Sequence, residues 1–138
     1  MNIYKIDMKG RLVYFDKVDR FNGVGTLFPK NCEISYPEIV PVVWNFDFHN
    51  LDSVLGHAIV SKDELGLICD ASLFKTDVIQ EVLSENNNEF GIGGYYTKLK
   101  ENRSKRGIRE IQSAMLIGIG LTLGPVNKDY KLVMVEEG

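Results

Sequence analysis

Two consecutive stretches decide the fold of this chain: residues 91–100 read GIGGYYTKLK, and residues 107–123 read GIREIQSAMLIGIGLTL. Both are rich in β-branched and aromatic side chains, which favour extended backbone on a half-buried sheet. A polar loop, ENRSKR at residues 101–106, separates the two stretches. Together they predict a hairpin of two strands joined by a solvated loop.

Outward from this hairpin, short strand-like segments dominate the chain. The apolar run IVPVVW at residues 39–44 is typical of a buried strand, and Pro41 predicts that part of its ladder is broken or at an edge. GHAIVS at 56–61 and LGLICDASL at 65–73 flank a polar turn and predict a second hairpin. Further strands are predicted at 23–28 and 130–135, and a third hairpin is predicted from 1–7 and 11–16 around Lys9-Gly10.

One helix is predicted, at about residues 76–86. Asp77 can cap its first turn with Gln80 at the capping-box spacing, and Thr76 is an equally good cap. An apolar stripe at helical spacing follows, formed by Val78, Ile79, Val82 and Leu83. The predicted fold class is therefore a β-rich α+β domain, with enough strands to close a mostly antiparallel barrel and one main flanking helix.

Length and charge limit the classes of function. The 138 residues predict a single domain, 1–138, with one core. The net charge of −3, from 16 basic and 19 acidic residues, lacks the basic footprint of a nucleic-acid partner. The glycine clusters do not lie between a strand and a helix start, as a phosphate loop must. We therefore expect no nucleic acid and no cofactor.

The cysteines and the apolar runs bear on metal binding and location. Neither Cys32 nor Cys69 lies in a CxxC or near a histidine at ligand spacing, so we expect no metal site. No apolar run approaches about 18 residues, which predicts no membrane-spanning helix. The charged start, MNIYKIDMKGR, argues against a signal peptide. We expect the bacterial cytoplasm, where thiols stay reduced.

Four segments, in order along the chain, resemble the prohead maturation protease family of tailed phages. The first, PVVWNFDFHNLDSVLGHA at 41–58, matches the region where the family has an apolar strand, a catalytic histidine and then an Ile-Gly or Leu-Gly. The second, LGLICDASLFKTDVIQEVLSE at 65–85, matches a Gly-Leu strand leading to a helix. The third, FGIGGYY at 90–96, matches the strand that carries the nucleophile. The fourth, MLIGIGLTLGPVN at 115–127, matches a Leu-Glu-Val-Ser-Leu-Val strand followed by Pro-Ala-Asn.

The resemblance implies a fold similar to the herpesvirus assemblin proteases and a serine nucleophile activated by a histidine that a third group orients. This chain departs from the family at the nucleophile and acid positions, and its histidine position can be counted in two ways. Gly91 stands at the nucleophile position and Gly118 at the acid position. The histidine position falls on His49 when counted back from the downstream glycine, and on Phe46 when counted forward from Pro-Val-Val. We therefore expect no functional catalytic residue, only relic positions.

The chain offers other side chains as a displaced nucleophile or base. The candidates are Ser104 in the polar loop, Ser113 and Thr97 on the long strands, and Cys69, which we expect to be an inert core thiol. His57 lies on a strand-like segment and is expected to be packed there. His49 itself is expected to be a polar surface residue beside Asp47 or Asp52.

Three functions remain open from the sequence. The first, implied by the resemblance, is a non-catalytic prohead-protease-like protein of a phage or prophage, acting in head assembly. It would bind capsid or scaffold protein, form a homodimer, contact no membrane, and lie in the host cytoplasm or with the virion. The second is an active serine protease with a displaced nucleophile. The third is an unrelated small β-barrel binding module.

Overall fold

The computed structural model describes residues 6–21, 24–45, 47–74, 79, 81, 85, 89–103, 107–122 and 130–134. Strands make up most of this part of the chain, with one short 3-10 helix at Leu51–Ser53. The strands are, in chain order, β1 (Ile6–Tyr14), β2 (Val18–Phe21), β3 (Val24–Leu27), β4 (Glu33–Ser35), β5 (Ile39–Trp44), β6 (Val54–Lys62), β7 (Gly66–Leu73), β8 (Glu89–Arg103), β9 (Arg109–Thr122) and β10 (Lys131–Met134).

Seven of these strands close into a barrel, in the order β5-β6-β7-β1-β10-β8-β9 and back to β5. The pair that joins β5 to β9 is parallel, and the other neighbours in the barrel are antiparallel. The predicted closed, mostly antiparallel barrel is therefore confirmed. Closure removes the open sheet edges of these strands along their paired residues.

Strand β9 organises the rest of the sheet. One of its edges pairs with β8, from Thr122 opposite Gly91 to Arg109 opposite Arg103. Its other edge takes β3, β4 and β5 one after another, all in parallel. β2 then pairs with β3 on the far side. The hairpin predicted from residues 91–123 is thus confirmed, and it connects the barrel to a small outer sheet.

The core fills the barrel through the usual alternation of strand side chains. On β5, Val40 and Val42 point inward and are fully buried, whereas Ile39 and Pro41 are exposed. The largest buried side chains around them are Met8, Leu67, Leu73, Phe90, Leu116, Ile119, Leu121 and Leu132. Each gains about 1.5–3 kcal/mol from leaving water, and this gain holds the barrel together.

Most of the predicted helix at 76–86 lies outside the described residues. Ile79, Glu81 and Glu85 are helical, and Ile79 is buried against the core. The described part of the chain is therefore β-rich with almost no helix. The extent of the helix, its start at Thr76 or Asp77 and its role as one main flanking element stay predictions.

The hairpin predicted around Lys9-Gly10 is wrong. β1 runs without a turn from Ile6 to Tyr14, with β7 on one edge and β10 on the other. Gly10 is needed there because a Cβ at this position would collide with the carbonyl oxygen of Lys131 on β10. The glycine marks a close approach of two backbones. Its local sequence pattern is the same as that of a turn.

The second predicted hairpin is confirmed as β6 and β7. Its turn is fixed by Asp63, whose Oδ1 accepts hydrogen bonds from the backbone N–H groups of Leu65 and Gly66, both at 2.9 Å. The guanidinium of Arg11 on β1 donates to both oxygens of the same carboxylate, at 2.5 and 2.8 Å. One acidic residue therefore ties the turn to a neighbouring strand of the barrel.

Candidate functional site

The two glycines at the relic positions lie on the β8–β9 hairpin. Gly91 is the register partner of Thr122, and Gly118 is the partner of Tyr95. Directly opposed residues point to the same face, so both glycines lie on the outer face, opposite to the core residue Ile119. They are four register positions apart, which is about 13 Å along the hairpin.

The position of Gly118 is covered by an aromatic ring. A Cβ at residue 118 would collide with Cε1 of Phe48. The Phe48 ring in turn stacks on Tyr95, with centroids 4.5 Å apart and an angle of 24° between the planes. An acidic side chain at residue 118 would therefore have to displace Phe48 before it could reach any histidine.

His49 follows Phe48 in the turn after β5, and its side chain is exposed. Within the described residues it has no hydrogen bond, ion pair or ring contact. The carboxylate of Asp47 instead accepts a hydrogen bond from Ser53 Oγ at 3.1 Å. Phe46 lies outside the described residues, so the choice between His49 and Phe46 stays open.

The described candidates for a displaced nucleophile lie on strands of the barrel. Ser104 lies outside the described residues. Ser113 is half-buried on β9 opposite Lys100, and Thr97 is half-buried on β8. Burial raises the pKa of the Cys69 thiol to about 12, so this core cysteine is an inert thiol at neutral pH.

His57 is packed on a strand of the barrel. His57 is half-buried on β6 opposite Pro41 and packs against the ring of Phe74 at 5.4 Å. This packing agrees with the expectation from the sequence.

Among the described residues, no cluster of three or more histidine, cysteine, aspartate or glutamate side chains could hold a metal ion.

A cavity that sequence reasoning missed lies between the β8–β9 hairpin, β1 and the β2–β3 pair. Its volume is ≈ 600 Å³. The lining residues are Leu12, Val13, Lys17, Asp19, Thr26, Phe28, Asn45, Gly91, Ile92, Gly93, Gly94, Tyr96, Leu99, Arg109, Ile111, Thr122 and Tyr130. It includes one relic position, Gly91.

A row of three polar residues crosses one wall of this cavity. Asp19 on β2 is the register partner of Thr26 on β3, and Thr26 is the partner of Arg109 on β9. Their side chains therefore share a face, with strands about 4.8 Å apart. Arg109 also forms an ion pair with Glu101 on β8 through its Nε atom.

Tyr96 contributes a second polar group to the wall. Its phenol end lies over Gly94, where a Cβ would be 2.6 Å from the Tyr96 hydroxyl oxygen. The ring also packs against Phe28 at 5.4 Å. Burial, more than any neighbouring charge, raises the pKa of Tyr96, so the phenol stays neutral and keeps its proton to donate.

The comparisons with known proteins give no relative. No family model, no curated protein and no solved structure matches this chain. The resemblance to the prohead proteases therefore rests on the four sequence segments alone. In the described part of the chain, no helix has the length and apolar character needed to cross a membrane.

Proposed function

We propose that this chain is a non-catalytic prohead-protease-like protein that acts in head assembly by binding capsid or scaffold protein. The observation that carries the proposal concerns two positions of the β8–β9 hairpin. They have no side chain where the prohead proteases have their nucleophile and acid. Gly91 has no side chain, and the space beside Gly118 is filled by Phe48. Loss of the nucleophile alone costs a serine protease about a millionfold in turnover.

The fold supports a binding role without chemistry. The closed barrel agrees with the architecture that the resemblance implies, and a barrel does not need the catalytic hydroxyl to fold. A domain of this kind can keep a contact surface after its catalytic groups have gone. The role in head assembly and the choice of partner rest on the resemblance.

The first test is for catalysis. The purified chain should not cleave capsid protein, casein or itself, and should not react with a fluorophosphonate probe. Gly91→Ser should also fail to give a good protease, because a triad acts as a unit and residue 118 supplies no acid. Cleavage that disappears in Ser104→Ala or in Ser113→Ala would instead establish the displaced-nucleophile alternative.

The second test is for the partner. A portal or major capsid gene beside the gene for this chain identifies the proteins to use. The purified chain should form a stable complex with that capsid or scaffold protein in analytical ultracentrifugation, with an unrelated capsid protein as control. Absence of both the neighbouring genes and the complex would remove the head-assembly proposal.

The cavity favours a second candidate function, that of a small β-barrel binding module. A concave site of ≈ 600 Å³ lies in the range that holds small ligands. This candidate needs no relation to phage proteins, and its ligand can be tested separately.

A further inference from the structure

The size of the cavity is the first argument that it holds a ligand. Ligand pockets in proteins have volumes of about 300–1,000 Å³. The cavity, at ≈ 600 Å³, lies within this range and opens to solvent beside the exposed side chains of Lys17 and Leu99, so a ligand can enter it.

The chemistry of the walls is the second argument. The apolar part of the lining includes Leu12 and Val13 from β1 and Ile92 and Leu99 from β8. Leu99 reaches the cavity because β8 carries a bulge there: its register against β9 shifts between Thr97 and Lys100. The polar row of Asp19, Thr26 and Arg109 also lines the cavity.

The charges on the walls balance. Arg109 is paired with Glu101, and Lys17 and Asp19 contribute one charge of each sign. The centre of the polar row is the neutral hydroxyl of Thr26, and the phenol of Tyr96 is neutral as well. Because the walls carry no net charge to compensate a charged ligand for its lost hydration, binding of such a ligand would be costly.

We infer that this cavity binds an uncharged, mostly apolar small molecule that carries a hydroxyl or carbonyl group. Its apolar body would lie against Leu12, Val13, Ile92 and Leu99, and its polar group would hydrogen-bond with the Thr26 side of the cavity. This inference rests on the cavity alone. It holds or fails independently of the proposed role in head assembly.

The test compares three probes with the same alkyl chain, by isothermal titration calorimetry at pH 7 and below their micellar concentrations. 1-Decanol should bind with one-to-one stoichiometry, at least about tenfold more tightly than decanoate or decylamine, because only the alcohol enters without a buried charge. Equal or tighter binding of either ion, or no saturable binding of 1-decanol, would overturn the inference.

Two tryptophan variants locate the binding. Thr26→Trp fills the cavity and should abolish 1-decanol binding. Ser61→Trp places the same side chain on the exposed face of β6, outside the cavity lining, and should leave binding unchanged. Equal binding by both variants would show that the alcohol binds elsewhere. If Thr26→Trp does not fold, judged by circular dichroism, the ranking of the three probes on the natural chain still decides.

Discussion

At the scale of single residues, Gly10 and Gly118 lack a side chain for different physical reasons. The space beside Gly10 is taken by the backbone of β10, at the carbonyl oxygen of Lys131. The space beside Gly118 is taken by the outer edge of the Phe48 ring, which is half-buried. A side chain can turn aside, whereas a strand inside a closed barrel cannot move without breaking its pairing.

This difference predicts an order of stability for two alanine variants. Gly10→Ala should lower the free energy of unfolding by about 3 kcal/mol, and Gly118→Ala by about 1 kcal/mol. Urea denaturation of both variants measures the two costs. Adding Phe48→Ala should remove most of the cost of Gly118→Ala and none of the cost of Gly10→Ala. An equal cost for the two glycines would mean that the ring is held as firmly as the backbone.

A second prediction for a single residue concerns Asp63 and the pH dependence of the stability of the fold. The hydrogen bond from Arg11 lowers the pKa of Asp63 from 3.8 to about 2 in the folded protein. A carboxylate whose folded pKa is depressed stabilises the fold above its unfolded pKa and loses this contribution as pH falls through the folded value. The advantage of the natural chain over Asp63→Asn should therefore be full at pH 5 and vanish between about pH 4 and pH 2.

Asparagine is the matched control for this charge, because its side-chain oxygen can still accept the turn hydrogen bonds from Leu65 and Gly66. Urea midpoints of the two proteins should converge as pH falls. Because other carboxyl groups titrate in both proteins, only the difference between the midpoints reports on Asp63. A constant difference from pH 5 to about pH 2 would contradict the prediction.

At the scale of elements, local pattern predicted strands well wherever one segment carried its own signal. The run at 39–44 matches β5 to the residue, because an apolar segment bounded by polar residues has one way to be buried. Lys9-Gly10 was misread because a glycine required by a neighbouring strand has the same local pattern as a turn. The bulges of the long hairpin were missed for the same reason, since they depend on the partner strand.

The bulge on β8 supplies the prediction for this scale. Lys98 has a positive φ of 53°, a left-handed conformation that costs a residue with a side chain about 1–2 kcal/mol. Lys98→Gly should therefore raise the free energy of unfolding by about 0.5 kcal/mol once the entropy of glycine is subtracted. Lys100→Gly, two positions along the same strand and also exposed, should lower it by about 0.5–1 kcal/mol. The melting temperatures of the two variants, measured by thermal denaturation, should shift in opposite directions. Destabilisation by both substitutions would contradict the strain at Lys98.

At the scale of the whole molecule, the pairings that close the barrel join segments far apart in sequence. β9 takes β3, β4 and β5 in parallel, and no local signal in any of these segments specifies that neighbour. The number of strands made a barrel predictable, but not the order of the strands around it. The cavity was missed for this reason, because Thr26 and Arg109 become neighbours only through the β3–β9 pairing. The relic positions were found from sequence motifs, and their catalytic meaning stays a prediction.

The last prediction concerns assembly, and it rests mainly on the resemblance, because assemblin-like proteases commonly form dimers with two-fold symmetry. We expect the purified chain to be a dimer by light scattering at high concentration.

One exposed feature suits such a contact: Ile39 and Ile59 are register partners on β5 and β6, 55% and 51% exposed. Such an apolar pair on an open sheet face gains from burial against a second copy. The double variant Ile39→Lys, Ile59→Lys should be monomeric, while Leu65→Lys, at an exposed turn position, should stay dimeric. A natural chain that is strictly monomeric at high concentration would contradict the dimer, and a double variant that stays dimeric would place the contact on another face.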